Sequence, residues 1–208
     1  AIVAYRAGKL DAAANLSQEG EPLALELGRP LLVACCLEVR GRALTDRGDL
    51  SQAQNCFSDA LVIYRESENH EGLASCQLGL GWVAMTQDRL ALAHRHIEHA
   101  HRLCEQHTLR VLFGICMNML GEVERKRGNL LESQRYYAEA VRRHQRCGAL
   151  ATSIIAELNL ALVHIASKDF VKANAVARTV ERAIQASGAR QFLAAVNLIL
   201  LACAAEAA

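Results

Sequence analysis

Aromatic residues and proline are scarce in this sequence, and their scarcity limits the fold. Only 4% of the 208 residues are aromatic and only two are proline. Because strands favour aromatic and β-branched residues, this composition argues against an all-β fold. Alanine, leucine, arginine and glutamate recur throughout and favour helices. With 52% hydrophobic and 22% charged residues, the balance is that of a folded globular protein.

The chain also lacks an excess of charge of either sign and a long apolar run. Lysine and arginine total 23 against 22 acidic residues, a net charge of +1 that predicts no direct nucleic-acid partner. The longest apolar stretches, such as residues 192–205, are too short and too rich in alanine to span a bilayer, so no membrane partner is expected. None of the eight cysteines forms a Cys-x-x-Cys pair, which favours a reducing cytoplasm.

What the sequence does contain is a repeat of 40 residues. One column of the repeat holds a large apolar residue: Leu10, Leu50, Leu90, Leu130 and Phe170. Three further columns hold small residues: Ala13, Ala53, Ala93, Ser133 and Ala173; Gly41, Gly81, Gly121 and Ala161; Ala60, Ala100, Ala140 and Val180. A fifth column holds Phe57, Ile97, Tyr137 and Ala177. Small residues in register predict closely packed helices, with the bulky column filling the space between them.

Each unit is predicted to be a pair of helices. Apolar residues within a unit follow a 3.6-residue period and form one stripe. Turns are predicted inside the units at Gly48-Asp49, Gln87-Asp88, Gly128-Asn129 and Lys168-Asp169, where Asp or Asn can cap the following helix. Turns between units are predicted at Gly28, Glu68, Thr108, Gly148 and Gly188.

These columns predict a single array over residues 1–208. Partial repeats occupy residues 1–29 and 190–208, and full repeats occupy 30–69, 70–109, 110–149 and 150–189. Both ends fall within a repeat, so we expect the chain to be a fragment of a longer protein. Open ends predict either further chain or a homo-oligomer.

The columns resemble the tetratricopeptide repeat family. The resemblance rests on Leu80-Gly81 and Leu120-Gly121 in the first helices, followed by alanine, a bulky residue and alanine in the second helices. It implies an all-α, right-handed superhelical solenoid of antiparallel helix pairs. The early aromatic of the family is replaced by Leu37, Gln77, Met117 and Glu157, and its proline is absent. The 40-residue length resembles the sensor and scaffold regions of bacterial transcription regulators and signalling ATPases.

In this family the first helices line a concave groove that binds protein or peptide segments. Helical spacing from the glycine column places the following candidates there: Glu38, Arg42, Thr45, Leu78, Trp82, Met85, Asn118, Glu122, Arg125, Leu158, Leu162 and Ile165. Trp82 and Met85 are the expected apolar anchors, and Arg42, Asn118 and Arg125 are expected to orient polar groups. The matching places hold no clamp for a terminal carboxylate, so a chaperone tail is not the expected ligand.

Other clusters favour packing or solvent over chemistry. Cys36, Cys76 and Cys116 share a column, but stacked repeats hold equivalent atoms too far apart for one zinc ion. His94, His96, His99 and His101 crowd one helix and flank its core stripe, which predicts boundary or surface positions rather than a metal site. The basic runs 125–127 and 142–146 lie at predicted helix ends, where the helix dipole favours them.

The sequence therefore predicts a binding module and not an enzyme. It contains no Gly-x-Ser-x-Gly, His-Glu-x-x-His or phosphate-loop motif, so no catalytic residue, cofactor or metal is expected. The leading hypothesis is a non-catalytic protein- or peptide-binding repeat module, the regulatory or scaffolding part of a larger bacterial protein. Two alternatives stay open: a sensor for a small ligand or for another part of the same protein, and a self-assembly module.

Overall fold

The computed structural model describes residues 1–6 and 8–206, and these residues form helices and short links without any strand. The chain divides into two compact units, Ala1–Leu109 and Arg110–Ala208. Unit 1 contains α1 Ile2–Arg6, α2 Leu10–Glu26, α3 Pro30–Arg47, α4 Leu50–Glu66, α5 His70–Thr86 and α6 Leu90–Gln106. Unit 2 contains α7 Arg110–Lys126, α8 Leu130–Arg146, α9 Leu150–Ala166, α10 Phe170–Ser187, the 3₁₀ turn Arg190–Phe192 and α11 Leu193–Ala205.

Helix pairs are the building block of both units. In unit 1, α3 packs on α4 and α5 packs on α6, while in unit 2 α7 packs on α8 and α9 packs on α10. The first helices also contact each other, α3 with α5 and α7 with α9. The all-α class and the tandem pairing expected from the repeat are thus confirmed. Within the described residues no helix has the length and apolar character needed to cross a membrane.

Left-handed residues end the helices where the sequence predicted turns. Positive φ angles occur at Gly28, Gly48, Glu68, Asp88, Thr108, Gly128, Gly148, Lys168 and Gly188. Thr108 is the least suited of these, with φ of 57°, because a β-branched side chain clashes with the backbone in this conformation.

The predicted side-chain caps form at only one of the hairpin turns. Asp169 accepts a hydrogen bond from the backbone N–H of Lys172 at 3.1 Å. Asp49 instead forms an ion pair with Arg47, and the Asn129 side chain donates to Glu124. The prediction was wrong for Asp49 and Asn129 because a charged partner from the preceding helix end competes for each side chain. It was also wrong for Asp88, which adopts the left-handed conformation while Arg89 is the N-cap residue of α6.

Glycines and bulky side chains pack against each other at the centre of each pair. Phe57, Ile97 and Tyr137 are completely buried. A Cβ atom at Gly81 would lie 2.9 Å from Cγ1 of Ile97, and one at Gly121 would lie 2.9 Å from Cδ1 of Tyr137. Real Cβ atoms do not lie this close to other atoms. The two helices of a pair therefore approach this closely only because these positions are glycine. The remaining residues of the three small-residue columns are also buried: Ala13, Gly41, Ala53, Ala60, Ala93, Ala100, Ser133, Ala140, Ala161, Ala173 and Val180.

We predict that Gly121→Leu destabilises unit 2 by about 1–3 kcal/mol, since the larger side chain must displace the Tyr137 ring. Urea unfolding followed by circular dichroism measures the change. Ala166→Leu, at an exposed position of α9, is the matched control and should leave the midpoint within error. Equal midpoints for Gly121→Leu and the wild type would contradict the packing described here.

We predict the opposite effect for Thr108→Gly. Glycine adopts the left-handed conformation without the clash that costs other residues about 1–2 kcal/mol, so this substitution should stabilise unit 1 by about 1 kcal/mol. The reverse change at an equivalent helix end, Gly128→Thr, should destabilise unit 2. A fall in the unfolding midpoint of Thr108→Gly would show that its side chain makes a compensating contact.

Candidate functional site

In unit 1, a hydrogen-bonded cluster joins the first helices α3 and α5. Arg42 Nη2 donates to Glu38 Oε1 and to Ser75 Oγ, both at 2.6 Å. Ser75 Oγ donates to Glu38 Oε1 at 2.7 Å, and Tyr64 OH donates to Glu38 Oε2 at 3.0 Å. The four side chains hold one another, so the guanidinium is fixed in position before any ligand arrives.

Arg42 and Trp82 remain accessible around this cluster. The Arg42 side chain is 37% exposed, whereas that of Glu38 is 15% exposed. Trp82 is half-buried and lies seven residues after Ser75, which places both on the same face of α5. We call Glu38, Arg42, Ser75 and Trp82 the α3/α5 surface. It combines a fixed cation with a partly exposed indole ring.

Burial keeps the phenol of Tyr64 protonated. Desolvation, followed by the charge of Glu38, raises the pKa of Tyr64 far above its ordinary value. Burial likewise raises the pKa of the Cys76 thiol, which lies near the same cluster. Tyr64 therefore stays a hydrogen-bond donor to Glu38, and Cys76 lacks the thiolate that nucleophilic chemistry requires.

In unit 2, a second cluster joins α7 to its paired helix α8. Arg125 donates to both oxygens of Glu122, at 2.8 and 2.6 Å, and Tyr137 OH donates to Glu122 Oε2 at 2.8 Å. Burial alone would raise the pKa of Glu122, but the hydrogen bonds from Arg125 and Tyr137 bring it below the ordinary value. Glu122 is thus a carboxylate, held between a core tyrosine and an exposed arginine.

A mixed polar and apolar face extends from α7 onto α9. Asn159 Nδ2 donates to Asn118 Oδ1 at 3.1 Å and ties the two first helices together. Leu162 is 46% exposed, and Ile165 is half-buried. We call this face the α7/α9 surface, formed by Asn118, Glu122, Arg125, Asn159, Leu162 and Ile165.

Four of the predicted groove residues are not available to a ligand. Thr45, Leu78, Met85 and Leu158 are buried. Helices α3, α5 and α9 pack against neighbours on several sides, so side chains one turn from an exposed residue already face another helix. These four positions are therefore removed from the candidate surfaces.

Sequence reasoning also missed several residues that build these surfaces. Helical spacing from Trp82 would have included Ser75. The role of Asn159, which lies beside Leu158, could not be predicted from the sequence because its partner Asn118 is on another helix. Tyr64 lies on a second helix, and no spacing rule relates it to Glu38.

The remaining titratable clusters are paired or buried. Among the described residues no group of three His, Cys, Asp or Glu side chains has the geometry to hold a metal ion. His96 Nδ1 lies 2.8 Å from Gln77 Oε1, and burial followed by the charge of Arg95 lowers the pKa of His96. Arg142 and Arg143 both donate to Glu139, so the basic run at the end of α8 is partly neutralised.

Comparison with known families identifies the repeat. A family model described as tetratricopeptide repeat matches residues 32–106, and a second model of the same description matches residues 115–146. Together the matches span just over half of the sequence. The chain belongs to the tetratricopeptide repeat family. No curated protein matches the sequence significantly.

Solved structures share this tetratricopeptide repeat fold at low sequence identity. A Rap protein complexed with competence and sporulation factor has a TM-score of 0.88 and 13% identity, covering 97% of this chain and 60% of that chain. BtubC (BKLC) from P. vanneervenii has a TM-score of 0.73 and 17% identity, covering 94% and 83%. A signal transduction ATPase with numerous domains and a tetratricopeptide repeat sensor, from Pyrococcus horikoshii, has a TM-score of 0.64 and 14% identity, covering 94% and 33%.

We predict that Tyr137→Phe destabilises this tetratricopeptide repeat chain by about 1.5–3 kcal/mol at neutral pH, the range for a hydrogen bond to a charged group. The ring stays in place against Gly121, so only the hydrogen bonds of the hydroxyl group, with Glu122 and with Arg125, are lost. The pKa of Glu122 is lower in the folded chain than its unfolded value of 4.5. The ionised carboxylate therefore stabilises the folded chain fully at a pH above 4.5, and this stabilisation is lost as the pH falls through the folded pKa. Urea unfolding at about pH 7 and about pH 3 should show a smaller difference at the lower pH.

A double-mutant cycle with Glu122→Gln isolates this bond from other effects of either substitution. If the two substitutions add without coupling, Tyr137 does not hold Glu122.

Proposed function

We propose that this chain is a non-catalytic module that binds a protein or peptide segment through the α3/α5 surface of unit 1. The observation that carries the proposal is the fixed Arg42 guanidinium on the surface that also presents Trp82. Tryptophan and arginine are the residues most enriched among those that dominate binding energy at protein interfaces. An arginine held by its own neighbours also loses little conformational entropy when a partner binds.

The geometry of Arg42 leaves donors for a partner. Its bonds to Glu38 and Ser75 both use Nη2, and a guanidinium carries five N–H donors. No described residue accepts a hydrogen bond from Nε or Nη1 of Arg42. These donors suit a carboxylate or a main-chain carbonyl of the bound segment, while the Trp82 ring covers an apolar side chain.

The α7/α9 surface supplies a second contact of different character in this proposal. Leu162 and Ile165 offer apolar area, and the Asn118–Asn159 pair and Arg125 offer hydrogen bonds. Exposed aliphatic side chains beside fixed polar groups are typical of surfaces that bind other proteins. Each surface lies within one unit, so the contribution of each is measurable separately.

The comparisons support a regulatory setting. One structurally similar protein is complexed with competence and sporulation factor, and another uses tetratricopeptide repeats as the sensor of a signal transduction ATPase. We therefore propose that the chain is the regulatory or scaffolding part of a larger bacterial protein. A sensor for a small ligand or an internal partner is the second candidate, favoured by the ATPase comparison. All eight cysteines are free, which is compatible with a cytoplasmic location.

Self-assembly is a third candidate with its own observation. Leu23 on α2 and Leu27 directly after it are exposed, as are Leu198 and Leu201 on α11. Apolar side chains grouped in this way often mark contacts between chains. Sedimentation at several protein concentrations decides whether such contacts form in solution.

The binding proposal is tested with peptides selected from a random display library on the wild-type chain. Trp82→Ala and Arg42→Gln should each weaken the selected peptides by about 30-fold, the loss of about 2 kcal/mol that defines a dominant contact. Isothermal titration calorimetry measures the affinities. Val62→Ala and Arg65→Gln, at exposed positions of the second helix α4, are the matched controls and should bind normally.

Circular dichroism should show that all four variants remain folded. Peptides that bind Trp82→Ala and Arg42→Gln as tightly as the wild type would overturn the assignment of the α3/α5 surface. If the same peptides lose affinity for Leu162→Glu, the α7/α9 surface becomes the principal site.

A further inference from the structure

Unit 2 contains a small cavity that neither candidate binding surface includes. It lies where α8 ends and where α9 and α10 pack, and its volume is about 290 Å³. Its wall includes Gln145, Leu150, Ser153, Glu157, Thr179 and Ala183. It is open to solvent, because Gln145, Leu150 and Thr179 are exposed, and its size admits a small ligand.

Glu157 is the unusual residue of this cavity. Its column in the repeat also holds Leu37, Gln77 and Met117, and all four side chains are buried. Glu157 itself is only 8% exposed. Burying a carboxylate costs free energy unless a cation or enough hydrogen bonds compensate it, so a charge at a position otherwise held by Leu, Met or Gln requires an explanation.

The hydrogen bonds to Glu157 come only from neutral groups. Ser153 Oγ donates to Glu157 Oε1 at 3.0 Å, and Gln145 Nε2 donates to the same oxygen at 3.1 Å. No lysine or arginine in the described chain forms an ion pair with Glu157, and no described donor reaches Oε2. Gln77, in the same column, is satisfied by His96 instead. Every fully buried side-chain N or O atom of the described residues has a hydrogen-bond partner, so Oε2 is reached by solvent and keeps its acceptor capacity for a ligand.

Charged groups of both signs lie around the cavity. His144 also lines it, but burial lowers the pKa of His144, so the ring is neutral at neutral pH. Glu157 is the one acidic side chain among the described residues that line the cavity. The helix dipole at the carboxyl-terminal end of α8 adds negative potential, but the last turn of α8 also carries Arg143 and Arg146, and Arg182 donates to the Thr179 hydroxyl group in the wall. Glu157 lies two turns into α9, beyond the first turn where that helix would repel a cation.

We propose that this cavity binds a small primary ammonium on an aliphatic stem, with the ammonium on Glu157 and the stem against Leu150 and Ala183. An ammonium donates three hydrogen bonds and supplies the missing charge. The apolar wall accepts the carbon chain. This site goes beyond the proposed peptide-binding function. It does not depend on that function, because it uses neither Arg42 nor Trp82.

The test uses n-butylammonium chloride as the probe and the full 208-residue chain. Titration followed by ¹H–¹⁵N NMR should give saturable shifts of the backbone amides near Ser153, Glu157 and Thr179. The neutral analogue 1-butanol should bind at least about tenfold more weakly, because it cannot replace a charged hydrogen bond. Equal binding of the two probes would show an apolar cavity without cation recognition and would overturn the proposal.

Two variants assign the binding to this site. Glu157→Gln keeps the shape and the neutral hydrogen bonds but should weaken n-butylammonium by about 10- to 100-fold. Ala183→Leu keeps the carboxylate and fills the space for the stem, so it should also weaken binding. Glu132→Gln removes an exposed carboxylate elsewhere in unit 2 and should bind normally.

Each outcome decides the assignment. Loss of binding in Glu157→Gln and Ala183→Leu but not in Glu132→Gln supports the site. Absence of saturable shifts in the wild type, or unchanged affinity in Glu157→Gln, overturns it. Since Ala183→Leu does not change the carboxylate, it remains informative if Glu157→Gln is poorly folded.

Discussion

The close approach of paired helices at glycine is the constraint on which the rest of this structure depends. Gly81 and Gly121 allow a large side chain from the partner helix to fill the space directly above the backbone. In each case the contact is between the first and second helix of a pair, Gly81 with Ile97 and Gly121 with Tyr137. Because the contact recurs every 40 residues, the first helices are presented in a regular series in each unit. The candidate surfaces are built on those helices.

Residues of the second helices both fill the core and hold side chains of the candidate surfaces. Tyr137 fills the space against Gly121 and also donates from its hydroxyl group to Glu122. In unit 1 the two tasks are divided between residues. Phe57 fills the core between Gly41 and Gly79, while Tyr64 packs on Gly72 and holds Glu38. In both units a buried tyrosine fixes the carboxylate that in turn fixes the exposed arginine.

The regular features of the fold were predictable because they depend on local physics. The period of small residues predicted the helix pairs, and the turn positions followed from residues such as Gly48 and Gly188 that tolerate the left-handed conformation. Burial at Met85 and Leu158 was not predictable from spacing alone. A helix with neighbours on several sides has only a narrow exposed stripe, and the width of that stripe depends on how closely the neighbours pack.

The side-chain partners were harder to predict than the helices. Of the candidates, Trp82 is half-buried and Leu162 is exposed, but Ser75 and Tyr64 were missed as the partners that hold Arg42 and Glu38. Such partners come from other helices, so their identity depends on distances between elements. A single sequence contains little direct information about those distances.

In a repeat protein, the residues of one column occupy nearly the same environment. A residue whose chemistry differs from the rest of its column is therefore informative. Leu37 and Met117 suit a buried position, and Gln77 gains a partner in His96. Glu157 is the departure, and its neutral hydrogen bonds leave the charge uncompensated. If a cation occupies the cavity, its binding free energy adds to the stability of the folded unit, since the unfolded chain has no such site. The occupancy of a small-molecule site and the stability of unit 2 are then linked through one carboxylate.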